Sequence, residues 1–255
     1  MSKKQLFLIG VSLSHSFSSP FFYNKFKKEK ITDYQYDACE LKRIEEIWEC
    51  LKEYPNLEGF NVTFPYKEQI IPYLDWIDPL AAQIGAVNVV KVVRTRNHFQ
   101  MRGYNTDHIG FAATLDAVKK RKEVPFHRAL IFGTGGSAKM VAFVLAQQGI
   151  EYHFVSRNPD LGFLTYELIN KGGMEEYDLL VHCTPVGTFP IVEQMIPIDT
   201  QQITSNHTLI DLVYNPKESL FLRKGREVGA ITQNGLLMLE VQAEESWKIF
   251  SATSF

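Results

Sequence analysis

The 255-residue chain is short of several features, and each shortage narrows what it does. No apolar run approaches the roughly 20 residues that cross a bilayer as a helix. The apolar run Leu6–Val11 follows Lys3 and Lys4, as an export signal's core would. It is too short for that role and gives way to Ser12-Leu13-Ser14-His15, so a cytoplasmic location is expected. Cysteine is scarce: Cys39, Cys50 and Cys183 are odd in number and lack a C-x-x-C spacing. They are expected to be buried thiols in a reducing compartment, neither disulfides nor metal ligands. The 7 histidines form no H-x-x-x-H pair, so no metal site is expected. An excess of charge is missing too. A net charge of -2 gives no electrostatic case for nucleic acid or a membrane surface as partner. Repeats, low-complexity tracts and an obvious linker are absent, and the length suits one large domain or two modest ones.

The most informative stretch lies at mid-chain. Ala129–Phe132 is apolar throughout and predicts a buried parallel strand. Gly133-Thr134-Gly135-Gly136-Ser137-Ala138 follows at once, and a helical period then runs through Ala138, Val141, Ala142 and Leu145 to Gly149. Strand, glycine-rich turn and helix in this order predict a dinucleotide site. Gly133 permits the tight turn, and Gly135 lets backbone approach a pyrophosphate. Ala138 supplies the small residue where helix meets strand, and the helix N-terminus presents free N–H groups.

Before that stretch, the pattern predicts a strand at Gln5–Ile9, a serine-rich loop, a helix over Phe21–Lys28 and a strand at Tyr34–Cys39. A helix over Leu41–Tyr54 is expected to bury Leu41, Ile44, Ile47, Trp48 and Leu51. Such alternation is the α/β signature. A short strand then ends in Thr63-Phe64-Pro65, with a helix beginning near Lys67. Polar residues at the carboxyl end of a parallel strand face the ligand crevice, which marks Thr63 and Lys67. Further on come a helix over Pro79–Gly85 and a strand over Ala86–Val93 that carries Asn88. Phe99–Arg102 is expected to return antiparallel at a sheet edge, and a helix opens at Asn105-Thr106-Asp107. After the glycine-rich turn, strands are expected at Tyr152–Val155, Tyr177–Cys183 and Leu209–Val213. Ser219–Glu227 reads as a helix. A last helix is expected to carry Leu236, Leu239, Ala243, Trp247 and Phe250 on one face, with Gly235 and Gln242 on another side.

In order along the chain, His15-Ser16-Phe17-Ser18, Asn61-Val62-Thr63-x-Pro65-x-Lys67, Gly85-Ala86-Val87-Asn88, Asn105-Thr106-Asp107, Gly133–Ser137, Asp211–Pro216 and Gly235–Leu239 with Gln242-Ala243 resemble the motifs of shikimate dehydrogenases. The resemblance implies two α/β domains. One is a substrate domain over 1–104, completed by 234–255. The other is a Rossmann-type domain over 105–233 that binds NADP. It also implies reversible reduction of 3-dehydroshikimate to shikimate with NADPH, by a monomer or homodimer.

Through that resemblance Lys67 and Asp107 become the catalytic pair. Lys67 is the proton donor, and Asp107 holds its ammonium and binds a substrate hydroxyl. Ser16 and Ser18 take the substrate carboxylate, and Thr63, Asn88, Tyr214 and Gln242 meet its other polar groups. The implied cofactor contacts are Gly133, Thr134, Gly135, Gly136, Ser137, Ser156, Arg157, Leu212 and Gly235. Ser156-Arg157-Asn158 places no carboxylate where an NAD-binding chain has one, so NADP is expected to be preferred. The chain departs from the family at three places. Ser19 intervenes before Pro20, Leu161 stands where relatives carry a second basic residue, and His182-Cys183-Thr184 replaces Asn-Ala-Thr. For His182 two readings stay open, a contact to the nicotinamide ribose region and a plain strand-end residue, the second favoured. Two alternatives stay open: an NAD-dependent quinate/shikimate dehydrogenase, and a non-catalytic dinucleotide sensor. The second has no use for Lys67 and Asp107.

Overall fold

The computed structural model describes residues 3–13, 16–94, 98–122, 124–158 and 163–252. The chain divides into two compact units, one of residues 1–106 with 242–255 and the other of residues 107–241.

The first unit is built from β1 (Lys4–Gly10), α1 (Ser18–Glu29), β2 (Tyr34–Glu40), α2 (Ile47–Glu53), β3 (Leu57–Val62), α3 (Tyr66–Gln69), β4 (Trp76–Ile77), α4 (Pro79–Ile84), β5 (Val89–Arg94) and β6 (Phe99–Tyr104). Its sheet has the order β2-β1-β3-β5-β6-β4. β1 runs parallel to both β2 and β3, whereas β5 is antiparallel to β3 and β6. The expected antiparallel return is therefore present, but β6 is not the edge. β4, too short to carry a period, pairs parallel with β6 and takes that place. Asn88 lies just before β5 rather than within it. The backbone N–H groups of Val87 and Asn88 are given singly to Lys67 O and Tyr104 O.

The expected helix over Leu41–Tyr54 is split into a 3₁₀ turn, Ile44–Glu46, and α2. The Glu46 carboxylate accepts the Lys42 N–H from outside the helix. Leu41, Ile44, Ile47 and Leu51 are buried as expected, but Trp48 is 40% exposed and rests against Tyr73 and Phe99. Of the expected buried thiols only Cys50 is buried. Cys39 and Cys183 are partly exposed, and the Cys39 and Cys50 sulfurs lie 3.1 Å apart.

The second unit contains α5 (Asp107–Lys119), β7 (Arg128–Phe132), α6 (Gly136–Gln147), β8 (Glu151–Ser156), β9 (Leu164–Thr165), α7 (Tyr166–Asn170), β10 (Leu179–His182), β11 (Thr208–Asp211), α8 (Leu220–Glu227) and β12 (Ile231–Gln233). All six strands are parallel, in the order β12-β11-β10-β7-β8-β9. Ala129 to Phe132 are wholly buried, and α6 packs down Ala138, Val141, Ala142 and Leu145, the period read in the sequence. From β7 the chain winds to β8 and β9 on one side and to β10, β11 and β12 on the other. The carboxyl ends of β7 and β10 thus form a topological switch point, where open α/β sheets bind ligands. The last helix, α9 (Leu236–Ser251), begins in the second unit and ends in the first. Its Ala243 and Phe250 are buried against β-strand and α1 residues of the first unit, including Phe22 and Leu6. No helix among the described residues is long and apolar enough to cross a membrane.

Candidate active site and dinucleotide turn

In the first unit the chemistry collects at the carboxyl ends of β1 and β3. Gly10 closes β1, and a Cβ there would come within 2.7 Å of Thr63 Cγ2, so glycine lets the two strand ends meet. The loop after β1 carries Ser16 and Ser18. Ser16 Oγ accepts the Ser18 N–H at 3.2 Å, which fixes the loop at the start of α1. Ser18 also hydrogen-bonds the Tyr36 hydroxyl, whose ionisation burial pushes far up. His15 lies outside the described residues.

After β3, Thr63 N–H bonds Ile9 O and Tyr66 N–H bonds Thr63 O, which makes the turn that presents Lys67. Tyr66 is buried and donates its hydroxyl to Leu41 O at 2.7 Å. Lys67 itself is half-buried, with its carbonyl taken by Val87 N–H at 2.8 Å.

Asn88 and Gln242 are brought together although 154 residues separate them. Asn88 Oδ1 accepts the Thr106 N–H at 2.7 Å. Asn88 Nδ2 donates to Thr106 Oγ1 at 3.0 Å and to Gln242 Oε1 at 3.3 Å. Thr106 passes its own proton to Gln242 O at 3.0 Å. Ser246, one turn beyond Gln242, donates to the same carbonyl and accepts from Asn61 Nδ2. Asn61 in turn accepts the Tyr36 hydroxyl at 2.9 Å. The Asn61, Asn88, Thr106, Ser246 and Tyr36 donors in this run each have an acceptor, which lets a buried polar network add rigidity.

Sequence reasoning placed Asn88 and Gln242 at the site but missed Thr106, Ser246 and Tyr36 as their supports. One usable signal was the spacing of Gln242 and Ser246, i and i+4 on one helix face. Thr106→Val keeps the shape but takes one acceptor from Asn88 Nδ2 and one donor from Gln242 O. It is expected to cost about 1–2 kcal/mol in urea unfolding. An unchanged midpoint would mean the network carries no stability. Asp107, the next residue along, is 4% exposed and opens α5.

In the second unit Gly133 follows β7 with φ +117°, open only to glycine at low cost, and donates its N–H to Val155 O. Gly135 is the N-cap of α6 and supplies no side chain, and the first turn of α6 carries no acidic residue. A Cβ on Gly135 would meet nothing within 4 Å, so space lies open before the helix N-terminus. An uncapped, acid-free N-terminus of a 12-residue helix facing open space fits a dinucleotide pyrophosphate. Thr134, Gly136 and Ser137 are partly exposed along it.

At the end of β8, Ser156 is buried and its Oγ accepts the Asn158 N–H at 3.0 Å. Arg157 is exposed, and its charge partly offsets the burial that pushes the Tyr166 phenol up to about 12. Leu161 lies outside the described residues. Beyond β11, Leu212 N–H bonds His182 O, and Gly235 N–H bonds Val213 O. A Cβ on Gly235 would collide with Leu212 O, so only glycine permits this approach. Tyr214 is half-buried between β11 and α8. His182 ends β10 as expected, yet it is buried and bonded at both ring nitrogens, to Asp211 and to Thr184. No group of His, Cys, Asp and Glu suited to a metal ion occurs among the described residues.

A profile described as the shikimate dehydrogenase substrate binding domain matches residues 8–90. A shikimate dehydrogenase (NADP(+)) of Clostridium botulinum is 37% identical over 246 residues, which cover 92% of each chain. The crystal structure of shikimate dehydrogenase 1 from Peptoclostridium difficile superposes with a TM-score of 0.84 at 34% identity, covering 100% of this chain and 93% of that one. The shikimate 5-dehydrogenase of Thermus thermophilus, solved in complex with NADP(H) and shikimate, gives a TM-score of 0.80 at 28% identity over 98% of this chain and 94% of that one.

Proposed function

Since the chain belongs to the shikimate dehydrogenase family, we propose that it reduces 3-dehydroshikimate reversibly to shikimate with NADPH, a step towards chorismate and the aromatic amino acids. The observation that carries this reading within the molecule is the pair of strand ends in the first unit. Thr63 and Lys67 follow β3, and Ser16 and Ser18 follow β1, at the face where parallel strands present polar groups to a ligand.

Bound NADPH supplies the hydride. Gly133, Thr134, Gly135, Gly136 and Ser137 would hold its pyrophosphate, and Ser156 and Arg157 its 2′-phosphate, with Leu212 and Gly235 as further contacts. Lys67 Nζ stabilises the oxygen that becomes an alkoxide and gives it a proton. The Asp107 carboxylate accepts from a neighbouring substrate hydroxyl. The Ser16 and Ser18 hydroxyls donate to the substrate carboxylate, and Thr63, Asn88, Tyr214 and Gln242 meet the remaining ring hydroxyls. In the oxidative direction Lys67 takes the proton back.

The deciding experiment mixes purified protein with shikimate and NADP and follows absorbance of the reduced cofactor, beside quinate with NAD. Turnover with shikimate and NADP is expected to dominate. Faster turnover of quinate with NAD would move the chain to the quinate/shikimate class, and binding without turnover would make it a sensor.

Exchanging both loop serines, Ser16→Ala with Ser18→Ala, is expected to weaken shikimate about tenfold, since each neutral hydroxyl contributes about 0.5–1.5 kcal/mol. NADP affinity should stay at the wild-type value in calorimetry. Equal weakening of both ligands would assign the serines to the fold, where Ser16 Oγ already accepts the Ser18 N–H.

A further inference from the structure

His182 is the last residue of β10, at the switch point of the second sheet, and its side chain is 2% exposed. Its register partner on β11 is Asp211, itself fully buried. His182 Nδ1 lies 2.9 Å from Asp211 Oδ1. That carboxylate also accepts the Val213 N–H at 2.9 Å and the Ser219 hydroxyl at 2.5 Å. The hydrogen-bond pattern assigns the proton between the two to Nδ1, with Asp211 Oδ1 as the acceptor. In the neutral ring with that tautomer Nε2 is an acceptor, assigned to the Thr184 hydroxyl 2.5 Å away. Thr184 Oγ1 in turn accepts the Val186 N–H at 3.3 Å. With both its proton and a lone pair committed, the Thr184 side chain has one orientation. Its methyl lies 3.0 Å from the position a Cβ would take on Gly133, the first glycine of the phosphate turn.

We propose that His182 is a positioning residue for the dinucleotide, holding Thr184 and the turn to Gly187 against Gly133, with Asp211 orienting the imidazole. The inference rests on the NADP-dependent reading given above. It differs from a role confined to satisfying Asp211, which has two other donors in Val213 N–H and Ser219 Oγ. Only the proposed role runs through the Thr184 hydroxyl.

The test is a double-mutant cycle on NADP affinity, read by calorimetry, with His182→Ala, Thr184→Val and the double variant. Shikimate affinity and the thermal midpoint of the ligand-free protein are measured alongside. Each single change is expected to weaken NADP about five- to tenfold, the size of one lost hydrogen bond in a committed chain. Because the two side chains act as one unit, the double variant should be no more than about twofold weaker than the worse single. Shikimate affinity should not change. His182→Asn keeps an amide donor for Asp211 but ends short of the Nε2 position, so it should weaken NADP as much as Thr184→Val does, and wild-type affinity in it would confine His182 to satisfying Asp211.

Wild-type NADP affinity in Thr184→Val, additive losses in the double variant, or equal weakening of shikimate would each overturn the proposal. Should His182→Ala fail to fold, Thr184→Val and His182→Asn decide the matter by the same readout. A wild-type protein that binds no NADP would instead remove the proposed function, and so the two failures are distinguishable.

Discussion

Lys67→Ala is expected to lower kcat by about 10²–10⁴, the range for losing a general acid–base group, with a much smaller change in KM. The split follows from where charge appears. A substrate ketone is neutral and gains little from the ammonium, whereas the oxygen developing towards an alkoxide gains both charge stabilisation and a proton. An interaction made mainly in the transition state appears in kcat and kcat/KM together. The turn around Lys67 is held by Tyr66, through its hydroxyl on Leu41 O, and by backbone bonds at Thr63 and Val87. None of these uses the lysine side chain. Steady-state kinetics in both directions, with a thermal midpoint as the control for folding, measure the effect. A variant with near wild-type kcat would remove Lys67 from the chemistry and leave the proton donor to be sought elsewhere in the chain.

Arg157→Ala is expected to reduce kcat/KM for NADP about 30- to 100-fold and leave NAD within about twofold, because one guanidinium can give a phosphate two charge-assisted hydrogen bonds. Arg157 stands exposed at the end of β8, the strand whose end meets the adenosine ribose in dinucleotide folds. A carboxylate there would repel a 2′-phosphate, and neither Ser156 nor Asn158 is one. Ser156 Oγ is committed to the Asn158 N–H, which sets the bend from which Arg157 projects. High salt should erode the NADP preference, since the pair is solvent-facing and screened. Equal loss for both cofactors, or a wild-type enzyme that favours NAD, would sink the assignment.

Much of this was legible in the sequence because it is local. The burial of Ala129–Phe132 and of one face of α6 follows from periods that a short window of sequence displays. The glycine requirement at Gly133 follows from the geometry of one tight turn, and the helix stop at Gly149 from its positive φ. Hydroxyl and lysine positions at the ends of β1 and β3 were readable for the same reason: a motif and its strand are neighbours in the chain.

What the sequence did not disclose is long-range. Asn61 meets Ser246 across 185 residues, and Asn88 meets Gln242 across 154. No pattern in a short window announces a hydrogen bond between side chains so far apart. Two-residue β4 is a strand only because β6 stands beside it. Trp48 has the right helical phase for burial yet stays 40% exposed, because Tyr73 and Phe99 cover only part of its ring. His182 passes for an ordinary strand end until parallel pairing sets Asp211 in register beside it. The sequence determined the types of element and the residues with reactive groups, since propensity, periodicity and turn chemistry act over a few bonds. The tertiary structure decided which polar groups satisfy one another, because burial makes each buried donor and acceptor find a partner wherever in the chain one is available.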